Sequence, residues 1–271
     1  MSSSQVAYYL YCLTPCECDV KTSAAGVDGK HTVFGSAQEG LDAVLSTVEL
    51  GEFCDDTAEA RLQDLAWLAP RVCRHEAVIE EVMRQAPVLP ARFATLFSSM
   101  ESLKQSIHQH REAIAGFFAE LADQEEWAVK GLLDRPAALR SSVSSFQPTA
   151  EGPAPGASPG ARYFQEKRIK AQWERDFNHR LREFCQQAVA ALAACATGFR
   201  ERSLLAPGAA ETEAEVVLNW AFLISPAALD DFRARLERLN GGEAFPGLKL
   251  TLTGPWPPYS FVPDLSDGAE A

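Results

Sequence analysis

The sequence predicts an α+β protein with two domains. Strand-like and helical segments alternate without the strict strand–helix repeat of a parallel α/β fold. A stretch rich in proline and glycine interrupts the apolar pattern at residues 147–160, as is typical of linkers. A long amphipathic helix follows at about 162–197. We therefore predict an N-terminal domain at 1–146, a C-terminal domain at 161–262 and an acidic, disordered end at 263–271.

The strands of the first domain are indicated by composition and by alternation. Residues 5–13 are rich in aromatic and β-branched side chains. Short apolar segments near 31–36 and at 41–50 predict two further strands. Residues 125–133 alternate between a face with tryptophan, valine and glycine and a more polar face that includes two charged residues, which is typical of a half-buried strand.

Helices separate these strands. Residues 57–86 and 99–123 carry apolar residues at helical spacing. Pro70 predicts that the first stretch forms two helices, because proline removes a backbone donor. Residues 87–97 have prolines near their start and predict a short edge strand or an extended connector.

The second domain is predicted from one long apolar stripe. Nine apolar residues recur at a mean spacing close to one helical turn, so one helix is expected with an end near Gly198. The stripe comprises Ile169, Trp173, Phe177, Leu181, Phe184, Ala188, Leu192, Cys195 and Phe199. A central strand is predicted at 215–225, a helix from Pro226 to about Asn240, and a strand at 248–253.

The segment LTGPWPPYSF at residues 252–261 combines aromatic residues with three prolines. Gly254 permits a bend, and the prolines favour an extended backbone. Rigid extension places aromatic rings at low entropic cost. We predict that this tail folds back and closes the second domain. The alternative is a proline-rich ligand for another protein.

Charge and targeting signals restrict the function classes. The 271 residues carry a net charge of −12, which argues against binding to nucleic acid or to an anionic membrane. No secretory signal and no run of apolar residues long enough to cross a membrane is predicted. The odd number of cysteines, seven, then indicates reduced thiols in the cytoplasm.

No residue pattern predicts catalysis, a cofactor or a metal. Cys12, Cys16 and Cys18 are close in sequence but lack the spacing and the fourth ligand of a structural zinc site. His75 begins HEAVI, in which isoleucine replaces the second histidine of a zinc-protease motif. Phosphate-binding and serine-hydrolase motifs are absent from the sequence. We therefore expect a protein that is not an enzyme.

Basic residues concentrate in the long helix. Residues 162–202 contain nine Lys or Arg against five Asp or Glu, a net charge of +4 in an acidic protein. Two interpretations remain open. The basic face can be solvated and pair with the acidic first domain, or it can dock an acidic or amphipathic partner helix.

Seven segments in order resemble one family, the gas vesicle accessory proteins of the F/L type. They are YYLYCL, WLAPRVCRHEAVIEEV, APVLPARFATLF, EEWAVKGLLD, ARYFQEKR, VVLNWAFLI and LTGPWPPYSF. The resemblance implies two α+β domains, the first related to ferredoxin-like folds and the second, smaller one built around the long helix with an extended Pro/aromatic tail.

The resemblance also implies a function without catalysis. Such proteins are minor components of cytoplasmic gas vesicles that bind the small hydrophobic shell protein (GvpA type) and other accessory proteins. They limit aggregation of the shell protein and help to nucleate the vesicle. The chain departs from the family at Cys12, Ala94 and Ala128, where glycine is expected. We expect ordinary β or α geometry there, because other residues tolerate a positive φ poorly.

Binding to an apolar shell protein requires an apolar surface rimmed by charge. The partner-binding candidates are Arg92, Phe93, Trp127, Lys130, Trp256 and Tyr259. For each of them, packing at a sheet edge is an equal alternative. A second function class is a regulatory module of tandem ferredoxin-like domains with a polar ligand pocket between them. An enzyme would need converging titratable groups that the sequence does not reveal.

Overall fold

A computed structural model of the protein describes residues 6–16, 21–54, 58–138, 159–204, 215–241 and 245–265. The chain divides into two units, Met1–Glu126 with Pro255–Ala271, and Trp127–Gly254. The division therefore falls inside a strand and not at the predicted linker, and the C-terminal tail belongs to the first unit. Most of the linker 147–160 and of the end 263–271 lies outside the described residues.

The first unit contains a five-stranded sheet. Its strands are β1 (Val6–Pro15), β2 (Phe34–Gln38), β3 (Leu41–Glu49), β4 (Leu89–Pro90) and β5 (Leu96–Phe97). The order is β2-β3-β1-β4, with β5 also paired to β1, and all pairs are antiparallel. The predicted strands at 5–13 and 41–50 are confirmed, and the 87–97 segment supplies two very short edge strands.

Four helices accompany this sheet: α1 (Ala58–Gln63), α2 (Leu65–Met83), α3 (Met100–Gln109) and α4 (Arg111–Glu120). The prediction that Pro70 divides a helix is wrong. The division lies at Asp64, whose side chain accepts from the backbone N–H of Ala66 and begins α2. Pro70 lies inside α2 and is exposed, so the carbonyl that loses its partner can be hydrated.

The two faces of the first sheet have different neighbours. Tyr9 and Tyr11 of β1 share a core with Val78, Ile79 and Val82 of α2. On the opposite face, Leu10 and Leu13 line a cavity together with apolar residues of α3 and α4. This arrangement follows from the alternation of side chains along a strand, interrupted by a bulge between Leu10 and Cys12.

The second unit contains the other sheet, in the order β7-β8-β6-β9. Its elements are β6 (Glu125–Leu133), α5 (Pro159–Ala193), β7 (Gly198–Glu201), β8 (Glu215–Ile224), α6 (Leu229–Gly241) and β9 (Leu248–Trp256). β6 begins and β9 ends in residues of the first unit. Mixed α+β architecture is thus confirmed, while a ferredoxin-like relationship stays a prediction.

Helix α5 confirms the long apolar stripe. Phe177, Phe184, Ala188 and Leu192 are buried in the second unit's core, and 35 residues make α5 about 50 Å long. The helix ends at Ala193, several residues before the predicted end at Gly198, which instead begins β7.

Strand β6 is more deeply buried than the sequence predicts. Ala128 and Glu126, assigned to the solvated face, each have only 1% of their surface exposed. The alternation of polar and apolar residues predicted a solvated face. The Glu126 carboxylate is instead buried against two hydrogen-bond donors of Ser260.

Gly247, which precedes β9, packs closely against the backbone of Asp134 and Ala138, and this contact can be tested. Its φ is +82°, and an added Cβ would lie 2.7 Å from the carbonyl oxygen of Asp134. Gly247→Ala should therefore lower the free energy of unfolding by about 1–3 kcal/mol, measured by urea denaturation. Gly116→Ala is the matched control: Gly116 is in α4 with nothing within 4 Å of the added atom, so its replacement should be neutral or stabilising. Equal stability of the two variants would contradict the strained geometry at Gly247.

Candidate functional site

The C-terminal tail packs onto the first unit. The ring of Tyr259 lies against the core between the first sheet and α2, and Phe261 has only 6% of its surface exposed. The expectation that the tail closes the second domain is therefore wrong. The strand predicted at 248–253 also ends later than expected, because β9 continues through Gly254 to Trp256.

The hydroxyl of Tyr259 joins a buried hydrogen-bond network around His75. Nδ1 of His75 is 3.0 Å from the Tyr9 hydroxyl, and Nε2 is 3.2 Å from the carbonyl oxygen of Ala91. A carbonyl only accepts, so Nε2 carries the proton and Nδ1 accepts from Tyr9. The Tyr259 oxygen is 3.3 Å from Nε2 and donates its own proton to Glu76 at 2.9 Å. The tail is thus tied to two residues of α2.

Burial keeps the imidazole and the phenols of this network uncharged. It lowers the pKa of His75 to about 4, so the imidazole is neutral at physiological pH. Burial also raises the pKa values of Tyr9 and Tyr259 above that of a free phenol. Burial also raises the pKa of Glu76, and the hydrogen bond from Tyr259 offsets only part of that rise. Such a network fixes orientation and offers no titrating pair near neutral pH.

A second buried contact holds the next residue of the tail. Ser260 donates its backbone N–H to one carboxylate oxygen of Glu126 at 3.0 Å and its hydroxyl to the other at 2.8 Å. Because Glu126 is almost completely buried, these donors offset part of the cost of removing the carboxylate from water. Glu126 and Ser260 therefore form the second attachment of the tail.

Aromatic rings and one strained turn complete the surroundings of His75. The ring of Tyr11 stacks on the imidazole, and the ring of Phe93 meets it edge-on. Ala94 has a φ of +64°, so the expectation of ordinary backbone geometry there is wrong. The Tyr9 hydroxyl accepts from the Ala94 N–H at 3.1 Å, and this bond helps to hold the left-handed conformation. Neither Cys12 nor Ala128, both described, has a positive φ.

The cavity on the other face of the first sheet has a volume of about 240 Å³. Its walls are mostly apolar and come from β1, α3, α4 and the 89–97 segment, with Val262–Leu265 of the tail. Arg92 and His110 are among its few polar lining residues. The tail therefore crosses from the face that holds Tyr259 to the face that holds the cavity.

The six candidate residues separate into two groups. Arg92, Phe93, Trp256 and Tyr259 lie in the first unit. Arg92 is exposed and lines the cavity, whereas Phe93 and Tyr259 pack against the core. Trp127 and Lys130 lie on β6 in the second unit.

Exposure distinguishes the remaining candidates. Trp127 is buried in the second unit's core, with the Arg233 guanidinium 5.4 Å from its ring centroid. Lys130 is exposed, and Trp256, at the start of the tail, is 41% exposed. Only Arg92, Lys130 and Trp256 therefore present substantial side-chain surface to a partner.

Sequence reasoning missed Glu76, Glu126 and Ser260. Tyr259 and Glu76 are separated by 183 positions, and Ser260 and Glu126 by 134, so no local spacing could reveal these pairs. The strand pattern at 125–133 contains three charged residues, and it does not mark Glu126 as the buried one.

Within the described ranges, no group of three or more His, Cys, Asp or Glu side chains is arranged to hold a metal ion. None of the described helices combines the length and apolarity needed to cross a membrane.

Comparison with known proteins decides the family. The model of the gas vesicle synthesis proteins GvpL/GvpF matches residues 7–263 of this chain. The chain belongs to the GvpL/GvpF family. Its members are gas vesicle proteins, so the resemblance of the seven ordered segments is confirmed.

Individual relatives agree with membership in the GvpL/GvpF family. The chain is 28% identical to gas vesicle protein L of Streptomyces sp. (strain CB03234), covering 97% of this chain and 94% of the relative. Identity to gas vesicle protein L1 of Halobacterium salinarum is 24%, covering 95% and 90%. The crystal structure of GvpF from Anabaena sp. PCC7120 is similar in fold, with a TM-score of 0.65, 18% identity and coverage of 95% and 96%.

We expect Tyr259→Phe to weaken the attachment of the tail. The variant keeps the buried ring but leaves Glu76 without its phenolic donor, which should lower the free energy of unfolding by about 1–3 kcal/mol. Tyr163→Phe is the control, because Tyr163 is 61% exposed. Chemical denaturation of the full chain measures both, and an unchanged stability in Tyr259→Phe would contradict the hydrogen-bond assignment.

Stability should also decrease in mild acid because of His75. The folded pKa of about 4 lies below the ordinary value of 6.5, so the unfolded chain binds a proton first as the pH falls. The contribution of His75 is complete above pH 6.5 and is lost towards pH 4, amounting to about 2 kcal/mol between pH 7.5 and 5.

His75→Gln isolates this contribution. Glutamine can still donate to Ala91 and accept from Tyr9, but it does not titrate. The difference between the parent and the variant in unfolding free energy should therefore narrow by that amount as the pH is lowered from 7.5 to 5. A constant difference over this range would show that His75 is not buried in the neutral form.

Proposed function

We propose that the protein is a non-catalytic gas vesicle assembly factor and minor vesicle component. It binds the hydrophobic shell protein in the cytoplasm, limits its aggregation and helps to nucleate the vesicle, together with other accessory proteins. Membership in the GvpL/GvpF family supports the gas vesicle role. The observation that carries the binding role is the mostly apolar cavity of the first unit with the exposed Arg92 at its wall.

The surface chemistry supports this role. A chaperone-like partner of an apolar protein needs apolar area for the contact and charge to remain dispersed. A net charge of −12 supplies the second requirement, and the cavity supplies the first. The same charge is unfavourable for nucleic acid and for anionic membranes, so neither is proposed as a partner.

The alternative of a ligand-binding regulatory module has less support. It predicts a polar pocket between the two domains, whereas every residue that lines the described cavity belongs to the first unit. The first-unit cavity is mostly apolar, and its 240 Å³ falls below the roughly 300–1,000 Å³ of typical small-molecule sites.

Co-expression with a tagged shell protein tests the proposal. We expect a soluble complex and a larger soluble fraction of shell protein than without the partner. Arg92→Glu should weaken the complex by about tenfold or more, since a misplaced interfacial charge costs over 1 kcal/mol. Lys249→Glu, at an exposed cation of β9, is the matched control for a change in net charge.

The Lys130→Glu variant tests the second-unit candidate separately, and binding equal to that of the parent would exclude Lys130 from the interface.

If the shell protein forms no complex and stays equally insoluble with and without the full chain, the assembly function is wrong. If a complex forms but Arg92→Glu binds as the parent does, Arg92 is not part of the interface.

A further inference from the structure

The N-terminal part of α5 leaves aromatic side chains exposed. Among the described side chains of this helix, none before Phe177 is buried. Tyr163 and Phe164 are 61% and 67% exposed, and their ring centroids lie 5.9 Å apart. We call residues 159–170 the helix extension, which is about 18 Å long at 1.5 Å per residue. Adjacent aromatic rings left exposed in this way favour an interaction surface.

Cations accompany these rings. Lys167 and Arg168 each follow an exposed aromatic residue by four positions, so a cation and a ring share each face of the helix. Lys167, Arg168 and Lys170 are exposed, and none of them has an ion-pair partner within the described residues. Residues 160–175 contain five Lys or Arg against two Glu, a net charge of +3. The helix extension is therefore basic as well as apolar.

A second exposed apolar surface lies at the junction of α1 and α2 in the first unit. Leu62 is 42% exposed, and Leu65 is 73% exposed, more than any other large apolar side chain in the described part of the chain. Residues 55–64 contain four Asp or Glu against one Arg, a net charge of −3. We call residues 59–65 the acidic junction.

The carboxylates of the acidic junction are accessible. Glu59 and Asp64 are exposed, and neither has an ion-pair partner among the described residues. Arg61 donates to the backbone carbonyl oxygens of Gly51 and Glu52 at 2.6 and 3.0 Å. The acidic junction therefore presents negative charge beside its two leucines.

The helix extension and the acidic junction complement each other. Each combines exposed apolar side chains with charges of one sign, positive on the extension and negative on the junction. A contact between them would cover the three most exposed large apolar side chains of the described residues, which are Tyr163, Phe164 and Leu65. Complementary charges around an apolar centre are typical of specific contacts between proteins.

We propose that the helix extension of one copy of this protein binds the acidic junction of a second copy. The two aromatic rings pack against Leu62 and Leu65, and the cations of the extension lie beside Glu59 and Asp64. Because the contact joins two different surfaces, a dimer keeps one free surface of each kind and can add further copies. This inference goes beyond the proposed function, since it concerns contacts between copies of this chain and not the shell protein.

The small size of the contact predicts a reversible association. Two aromatic rings, two leucines and the neighbouring charges form an interface at the lower end of known sizes, where complexes are transient. The charges lie at the surface, so added salt should weaken the association. In sedimentation velocity we expect the full chain to be monomeric when dilute and to form larger species as its concentration rises, and high ionic strength should reduce these species.

Two variants that each lack one surface test the proposal. Lys167→Glu with Arg168→Glu reverses the charge of the helix extension, and Leu62→Ser with Leu65→Ser removes the apolar part of the acidic junction. Each variant alone should associate at least about tenfold more weakly than the parent. An equimolar mixture should form a complex of two chains and no larger species, because each variant retains the surface that the other lacks.

Matched substitutions outside the two surfaces are the controls. Lys249→Glu repeats the charge reversal at an exposed cation of β9, and Leu204→Ser repeats the apolar change at a side chain that is 48% exposed. Both should associate as the parent does, and urea denaturation of every variant checks that it is folded. Arg92→Glu should also associate as the parent does, so this proposal and shell-protein binding can fail separately.

Three results would overturn the proposal. The first is a parent chain that stays monomeric up to its highest soluble concentration. The second is association of either double variant with the strength of the parent, which would exclude the changed surface from the interface. The third is a mixture of two monomeric variants that forms no complex, which would show that the two surfaces do not bind each other.

Other occupants give different results in related assays. If a monomeric parent co-sediments with phosphatidylglycerol vesicles and the variant with Lys167→Glu and Arg168→Glu does not, the extension binds an anionic membrane and the proposal is wrong. It is also wrong if the two double changes alter the stability of a monomeric chain non-additively, since the two surfaces then contact each other within one molecule.

Discussion

The first unit depends on the neutral imidazole of His75. Its two nitrogens act oppositely: Nδ1 accepts from the Tyr9 hydroxyl of the central strand, and Nε2 donates to the carbonyl of Ala91 beside the edge strand. Tyr259 then reaches the same nitrogen and Glu76. One buried side chain thus links sheet, helix, edge segment and tail, and a charged imidazole could not make these bonds.

The bond to Ala91 positions the segment that carries Arg92. The tight turn that follows includes the left-handed Ala94, whose N–H is held by Tyr9. Arg92 therefore faces the cavity because two neighbouring residues are fixed from the other face of the sheet. Residues on the opposite face of the sheet thus fix the position of Arg92 at the cavity wall through this turn.

Periodicity predicted most of the elements and little of the site. The apolar stripe of α5 and the aromatic strand β1 were clear because their patterns are regular and their faces are buried. Pro70 was misread because the cost of a lost backbone bond depends on whether water reaches the carbonyl. The burial of Glu126 depends on donors from Ser260, 134 positions away, and chain separations of this kind leave no local signal.

The division of the chain into units has a consequence for synthesis on the ribosome. Residues up to Glu126 emerge first, all of Trp127–Gly254 follows, and only then does the tail that belongs with the first unit appear. Until that moment the polar groups of Glu76 and Glu126 lack the tail donors, and the cavity lacks one wall. The nascent first unit therefore stays incompletely covered until more than a hundred intervening residues have been translated. Docking of Tyr259 is then the last step of its folding.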